Sequence, residues 1–152
     1  MIQHKKVSYS DFSAKQLFDL VMDIEKYPEF IPWCTQALIL DSPKTNVTIA
    51  ELNATFAGIS EKYSSRIESI PPRNKNDSAE INTDIISGPF KHLHSKWSFA
   101  YDDKKKKTKV KFYIEFEFSS KMLQIFIGTM FEKTSMRMLE AFEERAKQVY
   151  YT

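Results

Sequence analysis

The stretch of residues 119–149 constrains the fold more than any other part of this chain. It contains no proline and one glycine, and its apolar residues recur every three to four positions, the spacing of one face of an α-helix. These residues are Leu123, Ile127, Met130, Phe131, Met138, Phe142, Ala146 and Val149. A helix of this length would extend for about 45 Å. We therefore expect one long amphipathic helix, which needs a β-sheet to cover its apolar face.

The segment before this helix supplies the strands of such a sheet. Apolar and polar residues alternate with period two through most of residues 34–119, and short turn sequences divide the segment. The predicted strands are residues 2–10, 34–40, 47–56, 59–70, 78–87, 91–101 and 108–119. Each connection between successive strands from residue 34 onward is short, so the sequence predicts an antiparallel meander.

Helix signals occur between the first two strands. Ser13 followed by Gln16 forms a capping box, which predicts a helix that begins near Ala14 and ends before Tyr27. Pro28 is then expected to open a second, very short helix. Residues 27–33 contain several large apolar side chains where a loop would normally be polar. They fit a helical corner packed on the sheet, and they also fit a lid over a cavity or a surface that touches lipid. These interpretations do not exclude one another.

Composition limits the class of protein. A chain of 152 residues fits one domain, residues 1–152, and its formal net charge of +2 does not indicate a dedicated DNA or RNA binder. Cys34 is the only cysteine, which excludes an intramolecular disulfide and a cysteine-cluster zinc site. The amino-terminal residues lack the apolar core of a signal peptide, and no apolar run approaches 18 residues. We expect a cytoplasmic protein.

The inward faces of the strands mix large and small residues. Trp97, Phe99 and Phe112 supply bulk, whereas Ser65, Thr83 and Ser95 are small and polar. This pattern fits an apolar tunnel with a few polar groups and fits an ordinary packed core equally well. The pattern alone leaves both open.

Catalytic and metal-binding signals are weak. His92 and His94 share one face of a strand, but they lie opposite the apolar face with no third ligand nearby, so we predict no metal site. Cys34 has no identifiable base partner and fits a buried thiol. Glu61 is the one ionisable residue that the alternation directs inward, where it would have to be paired, protonated or close to the rim. We predict no catalytic residue and no catalytic cofactor.

Several separated motifs resemble one protein family. Residues 27–34 (YPEFIPWC), 88–93 (GPFKHL) with Trp97-Ser-Phe99, and 116–118 (FEF) with 141–146 (AFEERA) are similar to the coenzyme Q-binding branch of the START-like, polyketide cyclase-related superfamily. The resemblance covers nearly the whole chain. It implies an α+β helix-grip fold, in which a curved antiparallel sheet of about seven strands wraps around a long carboxy-terminal helix in the order β-α-α-β6-α.

The resemblance also implies a function and a set of ligand-binding residues. Members of this branch bind ubiquinone (coenzyme Q) or its polyprenylated precursors as carriers or chaperones that support respiration, and bacterial members are also named as toxins that block ribosomal subunit association. The expected partner is a hydrophobic small molecule, with a ribosomal subunit and the cytoplasmic face of the inner membrane as further candidates. Leu52 and Trp97 fall at pocket positions of the family. The expected wall around them contains Trp33, Phe56, Leu93, Phe99, Phe118, Phe131, Met138 and Phe142. A cyclase-type enzyme, with Glu61 and Tyr63 as its candidate groups, is the remaining alternative.

Overall fold

Seven antiparallel strands and three helices make up the fold in a computed structural model that describes residues 1–151. The strands are β1 (Ile2–Ser10), β2 (Cys34–Lys44), β3 (Val47–Phe56), β4 (Ile59–Ile70), β5 (Ala79–Ser87), β6 (Phe90–Asp102) and β7 (Lys107–Phe118). The α-helices are α1 (Ala14–Met22), α2 (Lys121–Met136) and α3 (Met138–Tyr150), and a 3₁₀ helix spans Ile24–Glu29. The predicted α+β class and element order are confirmed.

The strands form one curved sheet in the order β1-β7-β6-β5-β4-β3-β2. Successive strands from β2 onward are neighbours, as the meander predicts, and β1 closes the far edge by pairing with β7. Strand β2 is longer than predicted: it continues to Lys44, so the turn expected at residues 42–46 is only Thr45 and Asn46. Register shifts in β2, β5 and β6 mark bulges, which let the sheet curve around the helices.

The start of α1 follows the predicted capping box. The Ser13 hydroxyl accepts a hydrogen bond from the Gln16 backbone N–H at 3.1 Å, and the Gln16 side chain accepts one from the Ser13 N–H at 2.9 Å. The prediction that Pro28 opens the second short helix is wrong. That 3₁₀ helix begins at Ile24, and Pro28 lies inside its last turn.

The carboxy-terminal helix is interrupted at Arg137, where one continuous helix was predicted. The Thr134 hydroxyl donates to the Met130 carbonyl at 2.6 Å and the Ser135 hydroxyl donates to the Phe131 carbonyl at 2.8 Å. Hydroxyl groups that bond one turn back in this way bend helices. Arg137 leaves helical geometry (φ −104°, ψ 8°), so α2 and α3 follow the curved sheet as two segments.

The core lies between the concave face of the sheet and the two carboxy-terminal helices. Phe131 of α2 is 4% exposed, and its ring packs against Phe90 at 5.2 Å and Phe116 at 4.7 Å between ring centroids. Phe142 of α3 packs in the same way on Trp97 at 5.1 Å. The periodic apolar face of residues 119–149 therefore covers the sheet, as predicted. Within residues 1–151, no helix combines the length and apolarity needed to span a membrane.

Candidate functional site

An internal cavity of about 100 Å³ lies between the concave face of the sheet and the helices. Helix α1, the 3₁₀ helix, strands β3 to β7, helix α2 and the first residue of α3 all supply side chains to its wall. The residues that line the cavity are Val21, Ile24, Tyr27, Trp33, Ala50, Leu52, Tyr63, Ser65, Ile67, Ile81, Thr83, Leu93, Ser95, Trp97, Phe112, Ile114, Phe131, Ser135 and Met138. Most of these side chains are apolar, so the site suits an apolar ligand.

Six of the ten predicted ligand-binding residues lie on the cavity wall. They are Trp33, Leu52, Leu93, Trp97, Phe131 and Met138. Leu52, Leu93 and Trp97 reach it from strands β3 and β6, whose alternation directs these side chains to the concave face. Phe131 and Met138 reach it from either side of the break at Arg137. Their contact with a ligand stays a prediction.

The other four predicted wall residues do not line the cavity. Phe56 stacks on Trp33, with 5.8 Å between ring centroids, and Phe118 stacks on Phe90 at 4.7 Å. Phe99 stacks behind Trp97 at 6.0 Å, on the side away from the cavity wall formed by Leu93. Phe142 lies on the edge of the Trp97 ring. Each of these four residues packs on another aromatic ring of the core and does not border the open space.

A strip of hydroxyl groups crosses the apolar wall. Thr83 on β5 lies directly opposite Ser95 on β6, and Ser65 on β4 is two residues from Ile67, the β4 partner of Thr83. Tyr63 lies two residues before Ser65 on β4, on the same face of the strand. Among residues 1–151, none of these four hydroxyls has a hydrogen-bond partner. The strip therefore offers free hydrogen-bond donors to whatever occupies the cavity.

Four lining residues of the helices are absent from the predicted ligand-binding set, namely Val21, Ile24, Tyr27 and Ser135. Ser135 lines the cavity from α2, although its hydroxyl is already bonded to the Phe131 carbonyl. Tyr27 lines the cavity from the 3₁₀ helix, and its hydroxyl donates to the Val21 carbonyl. Only the apolar composition of residues 27–33 pointed to the corner that holds Tyr27. That corner packs in the core through Ile31 and Trp33, and Tyr27 and Trp33 line the cavity. Its contact with lipid stays a prediction.

The cavity wall carries no charge among the described residues, because its polar members are only serine, threonine, tyrosine and the tryptophan N–H groups. Burial raises the pKa of the Tyr27 and Tyr63 phenols well above their ordinary values, since a phenolate there would lose its hydration. Both phenols are therefore neutral at physiological pH, and neither serves as a base. Glu61 is half-buried and absent from the cavity wall, which agrees with the position near the rim.

The remaining candidates for chemistry lie outside the cavity. His92 is bonded to Glu115 at 3.1 Å and His94 to Asp84 at 2.9 Å, on the outer face of the sheet. No group of three or more histidine, cysteine, aspartate or glutamate residues among the described ones has the spacing of a metal site. Cys34 is 2% exposed, and burial raises the pKa of its thiol to about 11, which keeps it protonated and unreactive at neutral pH.

Known proteins resemble this chain in sequence along its whole length. A family described as polyketide cyclase/dehydrase and lipid transport matches residues 10–143. The ribosome association toxin RatA of Rickettsia prowazekii is 42% identical over 147 residues, which cover 97% of this chain and 96% of the toxin. The coenzyme Q-binding protein COQ10 homolog B, mitochondrial, of Xenopus laevis is 30% identical over 99% of this chain, and the chain spans 62% of its length.

The fold also has a close counterpart among solved structures. A START superfamily protein from Mycobacterium smegmatis superposes with a TM-score of 0.71 over 97% of this chain and 98% of its own, at 19% sequence identity. A likeness at this level of identity establishes the helix-grip fold. It does not extend to the ligand.

Proposed function

Since the chain belongs to the polyketide cyclase/dehydrase and lipid transport family, which matches residues 10–143, we propose that it binds ubiquinone or a related polyprenylated quinone in the cavity and acts as its carrier. The observation that supports this most directly is the strip of unpartnered hydroxyls at Ser65, Thr83 and Ser95 in an otherwise apolar wall. A cavity built only for packing would have no use for them, because apolar side chains would fill the same space without leaving hydroxyls unpaired. The coenzyme Q-binding relative supports the same ligand class.

The chemistry of the wall favours a neutral ligand with hydrogen-bond acceptors at its polar end. A carboxylate or phosphate head would be buried without a cationic partner, which is strongly unfavourable. The carbonyl oxygens of a quinone, in contrast, accept hydrogen bonds from hydroxyls such as Thr83 and Ser95. The flat faces of Trp97 and Trp33 on the same wall suit a planar ring.

The volume of the cavity implies that it expands on binding. About 100 Å³ is below the roughly 300–1,000 Å³ typical of ligand sites. Met138, at the break between α2 and α3, has a flexible side chain that can move aside, and the break is a natural hinge for the two helices. We propose that the quinone head occupies the hydroxyl strip and that the isoprenoid tail displaces Met138 as it enters between the helices and the corner at residues 27–33.

The test combines extraction with fluorescence. Organic extracts of the purified protein should contain an isoprenoid quinone, and added short-chain ubiquinone should quench the fluorescence of Trp97 and Trp33. Ser95→Leu, which fills the polar strip, should weaken quenching at least about tenfold. Ser98→Leu is the matched control, since Ser98 lies on the opposite face of the same strand, and it should bind as the wild type does. Absence of both extractable isoprenoid and quenching would reject the proposal.

Action on the ribosome is the second candidate function, and the 42% identical relative named as a ribosome association toxin favours it. The turn at residues 104–107 presents exposed lysines at the tip of the β6–β7 hairpin. Asp102 accepts hydrogen bonds from the Lys104 and Lys105 N–H groups, which shapes the turn. Lys107 pairs with Asp11, whereas Lys104 and Lys106 have no ion-pair partner among the described residues. Contacts of such side chains with phosphates would weaken with salt.

Sedimentation of ribosomes measures this second function. Wild-type protein should travel with one ribosomal subunit at low salt and be released as salt rises. Lys104→Ser with Lys106→Ser should reduce this association, whereas Lys44→Ser with Lys75→Ser, which removes two exposed lysines elsewhere, should reduce it less. Protein that never enters a subunit fraction at low salt would rule the function out. We do not favour a cyclase, because the cavity wall within residues 1–151 holds no carboxylate or imidazole.

A further inference from the structure

The outer face of α2 exposes large apolar side chains. Met122 is 66% exposed, Ile125 is 76% exposed and Phe126 is 60% exposed. They lie three and four residues apart and so form one ridge along the first two turns of the helix, which we call the α2 ridge. The opposite face of the same helix buries Ile127 and Phe131 in the core. Helix α2 is therefore apolar on two sides, which packing within this chain does not require.

Positive charge flanks the α2 ridge at both ends. Lys133 lies on the exposed side of the helix beyond the ridge, and Lys121 precedes the ridge at its flank. Both are exposed, and neither has an ion-pair partner among residues 1–151. The only acidic residue of α2 is Glu132, whose side chain turns to the flank and bonds to His4 of β1 at 3.0 Å. The exposed side of α2 thus combines an apolar centre with cations and without an anion.

We propose that the α2 ridge docks on the surface of an anionic lipid bilayer. Apolar side chains that enter the acyl boundary next to lysines that meet acidic headgroups are the recognition chemistry of an interfacial helix. The charges disfavour a second copy of this chain, because pairing two α2 ridges would bring together the lysines of two helices whose exposed side carries no carboxylate.

This docking would hold the cavity wall at the membrane. Phe131 and Ser135, on the buried side of α2, line the cavity, so a single helix contacts the proposed bilayer with one side and the cavity with the other. The inference itself depends only on the exposed side of α2. It holds whatever ligand the cavity takes.

Vesicle co-sedimentation tests the proposal with the full-length protein. Wild-type protein should sediment with vesicles that contain phosphatidylcholine and phosphatidylglycerol, and less with vesicles of phosphatidylcholine alone. Ile125→Gln with Phe126→Gln should reduce binding to the anionic vesicles about tenfold or more. Lys121→Gln with Lys133→Gln should instead remove most of the preference for anionic vesicles and most of the dependence on salt.

A matched control uses exposed apolar residues elsewhere. Leu40→Gln with Ile70→Gln changes side chains that are 52% and 56% exposed on β2 and β4, and this variant should bind vesicles as the wild type does. All variants should keep the wild-type circular dichroism spectrum and Tm, since each changed side chain faces solvent. Wild-type protein that stays in the supernatant with anionic vesicles would overturn the proposal, as would equal binding by the Ile125/Phe126 variant. A wild-type dimer that this variant converts to a monomer would assign the α2 ridge to a second copy instead.

Discussion

Removing the hydroxyl strip should stabilise the fold and weaken ligand binding at the same time. The perturbation is the triple variant Ser65→Ala, Thr83→Val and Ser95→Ala. No described residue within 1–151 bonds to these hydroxyls, and Ser65 is only 4% exposed. The substitutions are conservative in volume and leave the concave face apolar. The triple variant therefore separates what the hydroxyls contribute to folding from what they contribute to binding.

The magnitude follows from the cost of burying unpaired hydroxyls. A fully buried unpaired hydroxyl costs about 1–3 kcal/mol. Ser65 is buried whereas Thr83 and Ser95 are half-buried, and water in the cavity would recover part of the cost. We expect a gain of about 0.5–1 kcal/mol per hydroxyl, or about 2 kcal/mol for three. For a domain of this size that corresponds to a rise in Tm of roughly 4–8 °C. Loss of one or two hydrogen bonds to the quinone carbonyls should weaken binding about tenfold.

Two assays on the same samples measure both effects. Urea titration gives the free energy of unfolding, and quenching of tryptophan fluorescence by short-chain ubiquinone gives the dissociation constant. Ser98→Ala, on the outer face of β6, is the control and should change neither quantity by more than about 0.5 kcal/mol. A triple variant less stable than the wild type would show that the hydroxyls stabilise the native fold. Unchanged quinone affinity would refute their role in recognising the head group.

Four further substitutions test the fold itself. Gly88→Ala should lower the free energy of unfolding in urea by about 2–4 kcal/mol, because the new β-carbon would lie 2.5 Å from the Tyr63 β-carbon and residue 88 has a φ of +134°. Gly58→Ala should lower it by only about 1 kcal/mol, because residue 58 has a φ of +82° but open space around it. The free energy of unfolding should fall as pH rises from 9 to about 11, the interval between the ordinary pKa of a cysteine and the pKa of Cys34. Over this interval the folded state keeps a thiol proton that the unfolded state has lost, so the fall should be shallower by about 1.4 kcal/mol per pH unit in Cys34→Ala. An identical slope in Cys34→Ala would contradict a raised pKa of Cys34. Ser13→Ala should cost about 1 kcal/mol by removing the cap of α1, which thermal unfolding would detect.

Strand positions followed closely from the sequence, since strict alternation of apolar and polar residues reports which face of a strand is buried. The bounds of β1, β3 and β4 agree with the predictions. The break at Arg137 did not follow, because residues 119–149 keep the helical period across it. The Thr134 and Ser135 hydroxyls bond to carbonyls of the preceding turn and bend the helix there. The spacing of apolar residues carries no information about such side-chain hydrogen bonds.

The cavity was only partly predictable for a related reason. Alternation identifies an inward side chain but not how deep in the core it lies. Phe56, Phe99 and Phe118 point to the concave face as expected, yet each packs on another aromatic ring and none of them borders the cavity. Which inward residues meet open space depends on the curvature of the sheet and on where α2 and α3 cross it. The spacing of apolar residues predicts neither the curvature of the sheet nor the positions at which the helices cross it.

Methyl NMR during a ubiquinone titration tests the central claim most directly. The methyl signals of Leu52, Leu93 and Met138 on the cavity wall should shift and saturate as short-chain ubiquinone is added to the full-length protein. The methyl signals of Leu38 and Leu40, which are exposed on β2, should not move. Signals of Leu52, Leu93 and Met138 that stay unchanged at saturating ubiquinone, or shifts confined to Leu38 and Leu40, would contradict quinone binding in the cavity.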